Sequence, residues 1–226
     1  MSIEPGTLVL LVLWGTLVGL DLVSVPQAMI ARPVVAGTIA GWALGDLEAG
    51  VRVGMLLELF ALDVLPVGAS RYPDYGPGTV GAVAYAALVP GWINALGVST
   101  AIGLAFGLVG GRSMQWQRHR VADDVHRQAD RIAAGDRVAI RRVMFRSIAR
   151  DAFRSAALTA GAVGLAVGLA RWLVLAPRSA QTLTLVAVGC GLAAVIGGAL
   201  RSAGRGARMR WLVAGAAGTI LLAALR

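Results

Sequence analysis

The chain has 226 residues, 57% of them hydrophobic and 15% charged, with a formal charge of +9 at pH 7. Its mean hydropathy of +0.72 excludes a disordered chain, a collagen-like chain and an ordinary soluble enzyme. Polar residues stand between long apolar runs and do not interleave with them, so the basic balance is no nucleic-acid footprint, and no nucleic-acid partner is expected.

All 21 basic residues are arginine. Residues 1–111 hold three of them against seven acids, and residues 112–226 hold eighteen against five. The charge is an asymmetry, and in a membrane protein asymmetry sets topology. The reading is an all-α, polytopic integral membrane protein whose partner is the lipid bilayer. It has several full-length spans, with short, discontinuous or re-entrant helices in the N-terminal half.

The first element runs over Thr7–Leu20. No basic region precedes it and no small-residue cleavage site follows, so it reads as a retained membrane segment. Between Pro33 and Pro90 the apolar runs shorten to Val34–Gly45, Leu47–Leu65 and Gly78–Val89. A crossing helix needs about 20 residues, and shorter broken runs are tolerated only where protein or a cavity covers them. The longer runs follow: Gly91–Gly110, Ser155–Ala176, Thr182–Leu200 and Trp211–Leu225.

Between them lies Arg112–Arg154, with eleven Arg against five Asp. Apolar residues at helical spacing predict amphipathic helices on or near the membrane surface, and the positive-inside rule makes this segment cytoplasmic. Arg201–Arg210 falls on the same side after a hairpin near Pro177–Ala180. Trp116, Trp172 and Trp211 lie at span ends, as interfacial tryptophans do. The chain divides into a membrane domain at 1–111, an Arg-rich cytoplasmic segment at 112–154 and C-terminal membrane helices at 155–226.

Glycines at four-residue spacing (Gly15/Gly19, Gly37/Gly41/Gly45, Gly50/Gly54, Gly103/Gly107/Gly111, Gly164/Gly168) form smooth strips for helix packing. Cys190, the only cysteine, lies between Gly189 and Gly191 and reads as small-residue packing between helices. With one cysteine no disulfide forms within the chain. There is no metal-ligand cluster and no nucleophile–base constellation, so neither a metal, a cofactor nor a catalytic residue is expected.

Charges inside an apolar half point to pairing or function. Asp21, Arg32, Asp46, Glu48, Arg52, Glu58, Asp63 and Asp74 all fall in or beside the short runs. Asp46 follows Gly45 and reads as a helix N-cap. Glu58 stands between Leu57 and Leu59 with no helix end nearby in sequence, which favours a functional role. Arg32 precedes Pro33, which opens the next helix, and Arg32 is a candidate ion-pair partner for one of the carboxylates. Gln27 is uncharged and offers both donor and acceptor atoms, which suits a hydroxyl-rich ligand or an interhelical hydrogen bond equally.

A series of motifs follows in one register. It comprises Leu20-Asp21; Gln27 to Gly37 with Arg32-Pro33; Gly45-Asp46; Gly50; Gly54; Leu57-Glu58-Leu59; Leu65-Pro66-Val67-Gly68-Ala69; and Pro73-Asp74. Over about residues 8–90 the chain resembles the membrane IIC component of the mannose-type phosphoenolpyruvate-dependent sugar phosphotransferase system, the mannose/fructose/sorbose family. That resemblance implies a multi-pass permease of the bacterial inner membrane that binds and passes a sugar. It implies a membrane IID partner and cytoplasmic IIB and IIA proteins, in hetero- and homo-oligomers. Phosphoryl transfer is then carried by histidines of IIA and IIB, so the chain is a transporter subunit and not an enzyme. His119 and His126 fit, lying in the Arg-rich segment without a phosphoacceptor context. By position Gln27 and Glu58 lead the sugar path, with Asp21 and Asp74 behind them. Arg32 and Asp46 take structural or ion-pair roles. Arg52, Arg71 and Tyr72 depart from the pattern, and the alternative function is a regulatory or scaffold protein derived from such a permease.

Overall fold

The computed structural model describes residues 3–62 and 72–199 together with Gly206 and Arg210. Every regular element among them is a helix: α1 (Pro5–Asp21), α2 (Pro33–Ala43), α3 (Leu47–Leu62), α4 (Tyr75–Leu88), α5 (Trp92–Arg127), α6 (Ala129–Ala133), α7 (Arg137–Trp172) and α8 (Pro177–Ala199). The expected span at Trp211–Leu225 and most of Arg201–Arg210 lie outside the described residues, as do Asp63 and the Pro66–Ala69 motif.

The N-terminal helices start where the sequence dictates. Pro5 and Pro33 occupy the first turns of α1 and α2, where a missing N–H costs nothing. Asp46 caps α3 by accepting the Ala49 N–H at 2.9 Å, so the local reading of Gly45-Asp46 is sound. Gly45 makes the turn between α2 and α3 with φ of 74°, a left-handed conformation that favours glycine.

The glycine strips of α2 and α3 face one another. A methyl group added at Gly41 meets Asp46 O and Gly50 Cα at 2.6 Å, and one added at Gly50 meets Gly37 O at 2.4 Å. The two helices therefore pack backbone to backbone, which no larger residue permits. At about 1.5 Å per residue, α2 spans about 16 Å and α3 about 24 Å, both short of a hydrocarbon core of about 30 Å.

α4 is the hub. Residues from Gly76 to Tyr85 are all buried, and the helix packs against α1, α2, α3, α5 and α7. Gly81 sits against Ala162 of α7, and Gly78 against Gly103 O of α5. On α1, Gly15 and Gly19 admit Thr159 and Ser155 of α7. α8 is fastened to α5 by Thr184, whose hydroxyl accepts the Gly97 N–H at 2.9 Å and donates to Ile93 O at 2.7 Å.

α5, α7 and α8 are each long and apolar enough to cross a membrane. Among the described residues the expected spans at Gly91–Gly110, Ser155–Ala176 and Thr182–Leu200 are therefore present, beside shorter apolar helices that include α1. The Arg-rich segment is built differently from a surface-lying amphipath. α5 and α7 each run 36 residues without a break, about 54 Å at 1.5 Å per residue, so their polar halves extend the membrane helices beyond the bilayer. α6 closes this hairpin. At its tip Asp136 caps α7 by accepting the Val138 and Ala139 N–H groups, and Arg131 donates to it. Those bonds, Arg131 foremost, hold the Asp136 carboxyl below the usual carboxylate range.

Two expectations about the C-terminal helices give way. The turn between α7 and α8 lies at residues 173–176, before Pro177, because the proline opens α8. Cys190 is exposed on α8 and not packed between helices, while its neighbour Gly191 takes the helix contact against Leu56, Leu59 and Phe60.

Candidate functional site

Four helix ends converge where α1 stops, α2 and α4 start and α3 approaches its end, with α5 passing by. The link from α1 to α2 forms the wall there. The buried Asp21 carboxylate accepts the Ala28 N–H at 2.5 Å and the Ala31 N–H at 3.0 Å. These bonds fix a loop in which Gln27 and Met29 have φ of 60° and 63°. Such left-handed conformations cost non-glycine residues about 1–3 kcal/mol each and persist where the surroundings over-determine them. Asp21 supplies that constraint, so its role is to shape the loop that presents Gln27.

A cavity of about 310 Å³ lies under this loop, with Asp21, Gln27, Met29, Arg32, Tyr72 and Tyr75 among its walls. Its volume falls in the range of small-molecule sites, about 300–1,000 Å³. A neutral amide, a carboxylate, a guanidinium and two phenols on otherwise apolar walls can hydrogen-bond and stack on a polyhydroxylated ring. Nothing in that set is a nucleophile with an adjacent base, and no group of residues among those described could hold a metal ion.

The sequence-nominated residues divide. Gln27, Asp21 and Arg32 reach the cavity. Glu58 stands behind it: its carboxylate pairs with Arg32 and accepts the Val34 N–H at 3.1 Å. Contrary to the sequence expectation, Glu58 lies only one turn before the end of its own helix at Leu62, and in space it meets the start of α2, whose free N–H groups and dipole favour an anion. Asp46 is a cap at the opposite end of α3.

Asp74 is wholly buried off the cavity walls. Arg154 donates to its Oδ2 at 2.9 Å and to Asp151 Oδ1 at 2.9 Å, and reaches Ser113 Oγ and Ser155 Oγ at 3.3 Å. Ser24 completes the chain by donating to Asp151 Oδ2 at 2.6 Å. One guanidinium thus serves two buried carboxylates and joins α4, α5 and α7 to the loop that carries Gln27.

Tyr75, Asp151 and Arg154 were not singled out from sequence. Their signal was present: Asp151 and Arg154 stand where the Arg-rich segment enters an apolar run, a place where unpaired charge is costly. Tyr72, noted only as a departure, is a principal wall. It accepts a hydrogen bond from Arg118 at 2.9 Å, with the guanidinium 5.3 Å from the ring centroid.

The family model described as the sorbose-specific IIC component of the phosphotransferase system matches residues 6–216. The sorbose-specific EIIC component of Lacticaseibacillus casei is 35% identical over 74 residues, 33% of this chain and 26% of that one. That of Klebsiella pneumoniae is 51% identical over 43 residues, 19% of this chain and 16% of the relative. The fructose permease IIC component of Bacillus subtilis is 37% identical over 67 residues, covering 30% and 24%. The chain thus spans about a quarter or less of the length of each of these relatives. A solved structure of a membrane protein superposes with a TM-score of 0.69 at 20% identity, covering 97% of this chain and 88% of that one. At that identity it speaks for the fold alone.

Proposed function

The chain belongs to the family of sorbose-specific IIC components of the phosphotransferase system, and from that membership and the cavity under the α1–α2 loop we propose that it is the sugar-translocating permease subunit of such a system. It binds a sugar at the cavity and passes it inward. A cytoplasmic IIB protein, charged by IIA, phosphorylates the sugar, and a membrane IID protein completes the permease. Gln27 supplies hydrogen bonds to sugar hydroxyls, and Asp21 holds the loop that presents it. Arg32, steadied by Glu58, supplies further donors, while Asp74 braces the site from behind through Arg154.

The observation that carries this reading is the convergence of Gln27, Asp21 and Arg32, all from one short segment, on a cavity of small-molecule size at the ends of apolar helices. The test is phosphoenolpyruvate-dependent sugar uptake in a strain lacking this chain. Loss of uptake and of sugar phosphorylation, restored by the wild-type chain, is the expected result. Undiminished phosphorylating uptake in the deletion strain refutes the proposal. No sugar affinity in the purified complex, with partner capture retained, points instead to regulation.

A further inference from the structure

A second cavity, of about 450 Å³, lies on the far side of the Gln27 loop. It shares Leu22, Gln27 and Tyr72 with the first, so these residues form a partition between the two. Its other described walls include Ser24, Gln117, Arg118 and Ser147, on the side of the arginine-bearing hairpin. The positive-inside rule places that side toward the cytoplasm.

The hydrogen bonds already made on these walls determine what remains for a ligand. Ser24 spends its proton on Asp151 Oδ2 at 2.6 Å, which leaves its oxygen as an acceptor. Tyr72 accepts from Arg118 at 2.9 Å, which leaves its own proton to donate. Gln117 is 6% exposed, and its Nε2 donates to Ser147 O at 3.2 Å. That bond fixes the amide orientation, and its Oε1 is buried without a partner among the described residues. A buried acceptor left unmatched is costly, so a donor that reaches it is favoured. Gln27 adds an amide with both capacities.

We infer that this second cavity is an inner binding site for the same class of ligand, a neutral polyhydroxylated sugar, reached past the Gln27–Tyr72 partition. The inference rests on the sugar-permease reading and adds a second station to it. Hydroxyl groups match the walls because each can donate to Ser24 and Gln117 and accept from Tyr72.

The test uses the full chain in membrane vesicles with Cys190 replaced by Ala. A single thiol is introduced as Ala61→Cys in the first cavity or Ser147→Cys in the second. Ser147 contributes only its backbone carbonyl to Gln117, so the substitution spares that bond. Alkylation by a small maleimide is timed with and without a panel of neutral hexoses. At a sugar concentration about ten times Kd, occupancy slows labelling about tenfold by mass action. Protection of both thiols is the expected result. Protection of the Ala61→Cys thiol alone overturns the inner station and leaves the permease reading standing. Protection of neither overturns both.

Discussion

Removing Arg154 tests the buried network that braces the site. Its guanidinium serves Asp74 and Asp151, both with 0% exposure, and is itself 7% exposed. Arg154→Ala leaves two carboxylates in the interior with no cation among the contacts described. Breaking one partner out of a buried pair costs about 3–5 kcal/mol. With two carboxylates stranded, the upper end of about 5 kcal/mol is expected, more than a thousandfold in the folding equilibrium at about 1.4 kcal/mol per decade. Arg154→Lys recovers little, because one ammonium does not reproduce a fork that holds two acids at once. The combination Arg154→Met, Asp74→Asn, Asp151→Asn removes the buried charge altogether, and the amide that replaces the Asp151 carboxylate still offers an acceptor to Ser24. It regains at least half of the loss. The assay is denaturant unfolding of the purified chain in detergent, followed by tryptophan fluorescence. An Arg154→Ala protein within about 1 kcal/mol of wild type, or a triple variant as unstable as the single one, refutes the reasoning.

Three further outcomes follow from other parts of the molecule. Gly41→Ala forces apart the α2–α3 seam, where the added methyl meets backbone at 2.6 Å. It destabilises by about 1–3 kcal/mol in the same unfolding assay, and a neutral effect contradicts the packing. Glu58→Gln gives up the pair with Arg32 and the charged acceptor for the Val34 N–H. Because the Arg32 side chain is 49% exposed, the folding cost stays near 1 kcal/mol, whereas sugar affinity measured by equilibrium dialysis falls; unchanged affinity detaches Glu58 from the site. At the hairpin tip, the depressed Asp136 carboxyl stabilises the start of α7 above the unfolded carboxylate pKa of about 3.9. That contribution is lost as pH falls through the lower folded value. Hydrogen exchange at residues 137–140 then rises over that acid window in the wild type and not in Asp136→Asn.

What was legible in the sequence was what is settled locally. Gly45-Asp46 announces a turn and a cap within four residues, and the structure contains both. The glycine strips of α2 and α3 were legible because only glycine lets two backbones meet. Glu58 was harder, since its partner Val34 is 24 residues away in sequence. The helix end that Glu58 serves appears only once α2 folds back along α3. The Asp74–Arg154 bond spans 80 residues and joins a charge that sequence assigned to the sugar path with one that it assigned to the cytoplasmic segment. Hydropathy separated those segments because it averages over side chains. α5 and α7 ignore the division and carry one continuous helix from apolar to polar surroundings.

The central claim is that the cavity under the α1–α2 loop is a sugar site presented by Gln27. The most direct measurement is equilibrium binding of radiolabelled hexoses to the purified complex, for wild type and for Gln27→Ala. The account predicts saturable binding by the wild type. It predicts at least about a tenfold loss in the variant, near 1.4 kcal/mol of hydrogen bonding, with membrane insertion and unfolding behaviour unchanged. Equal affinity in the two proteins, or no saturable binding in either, contradicts it.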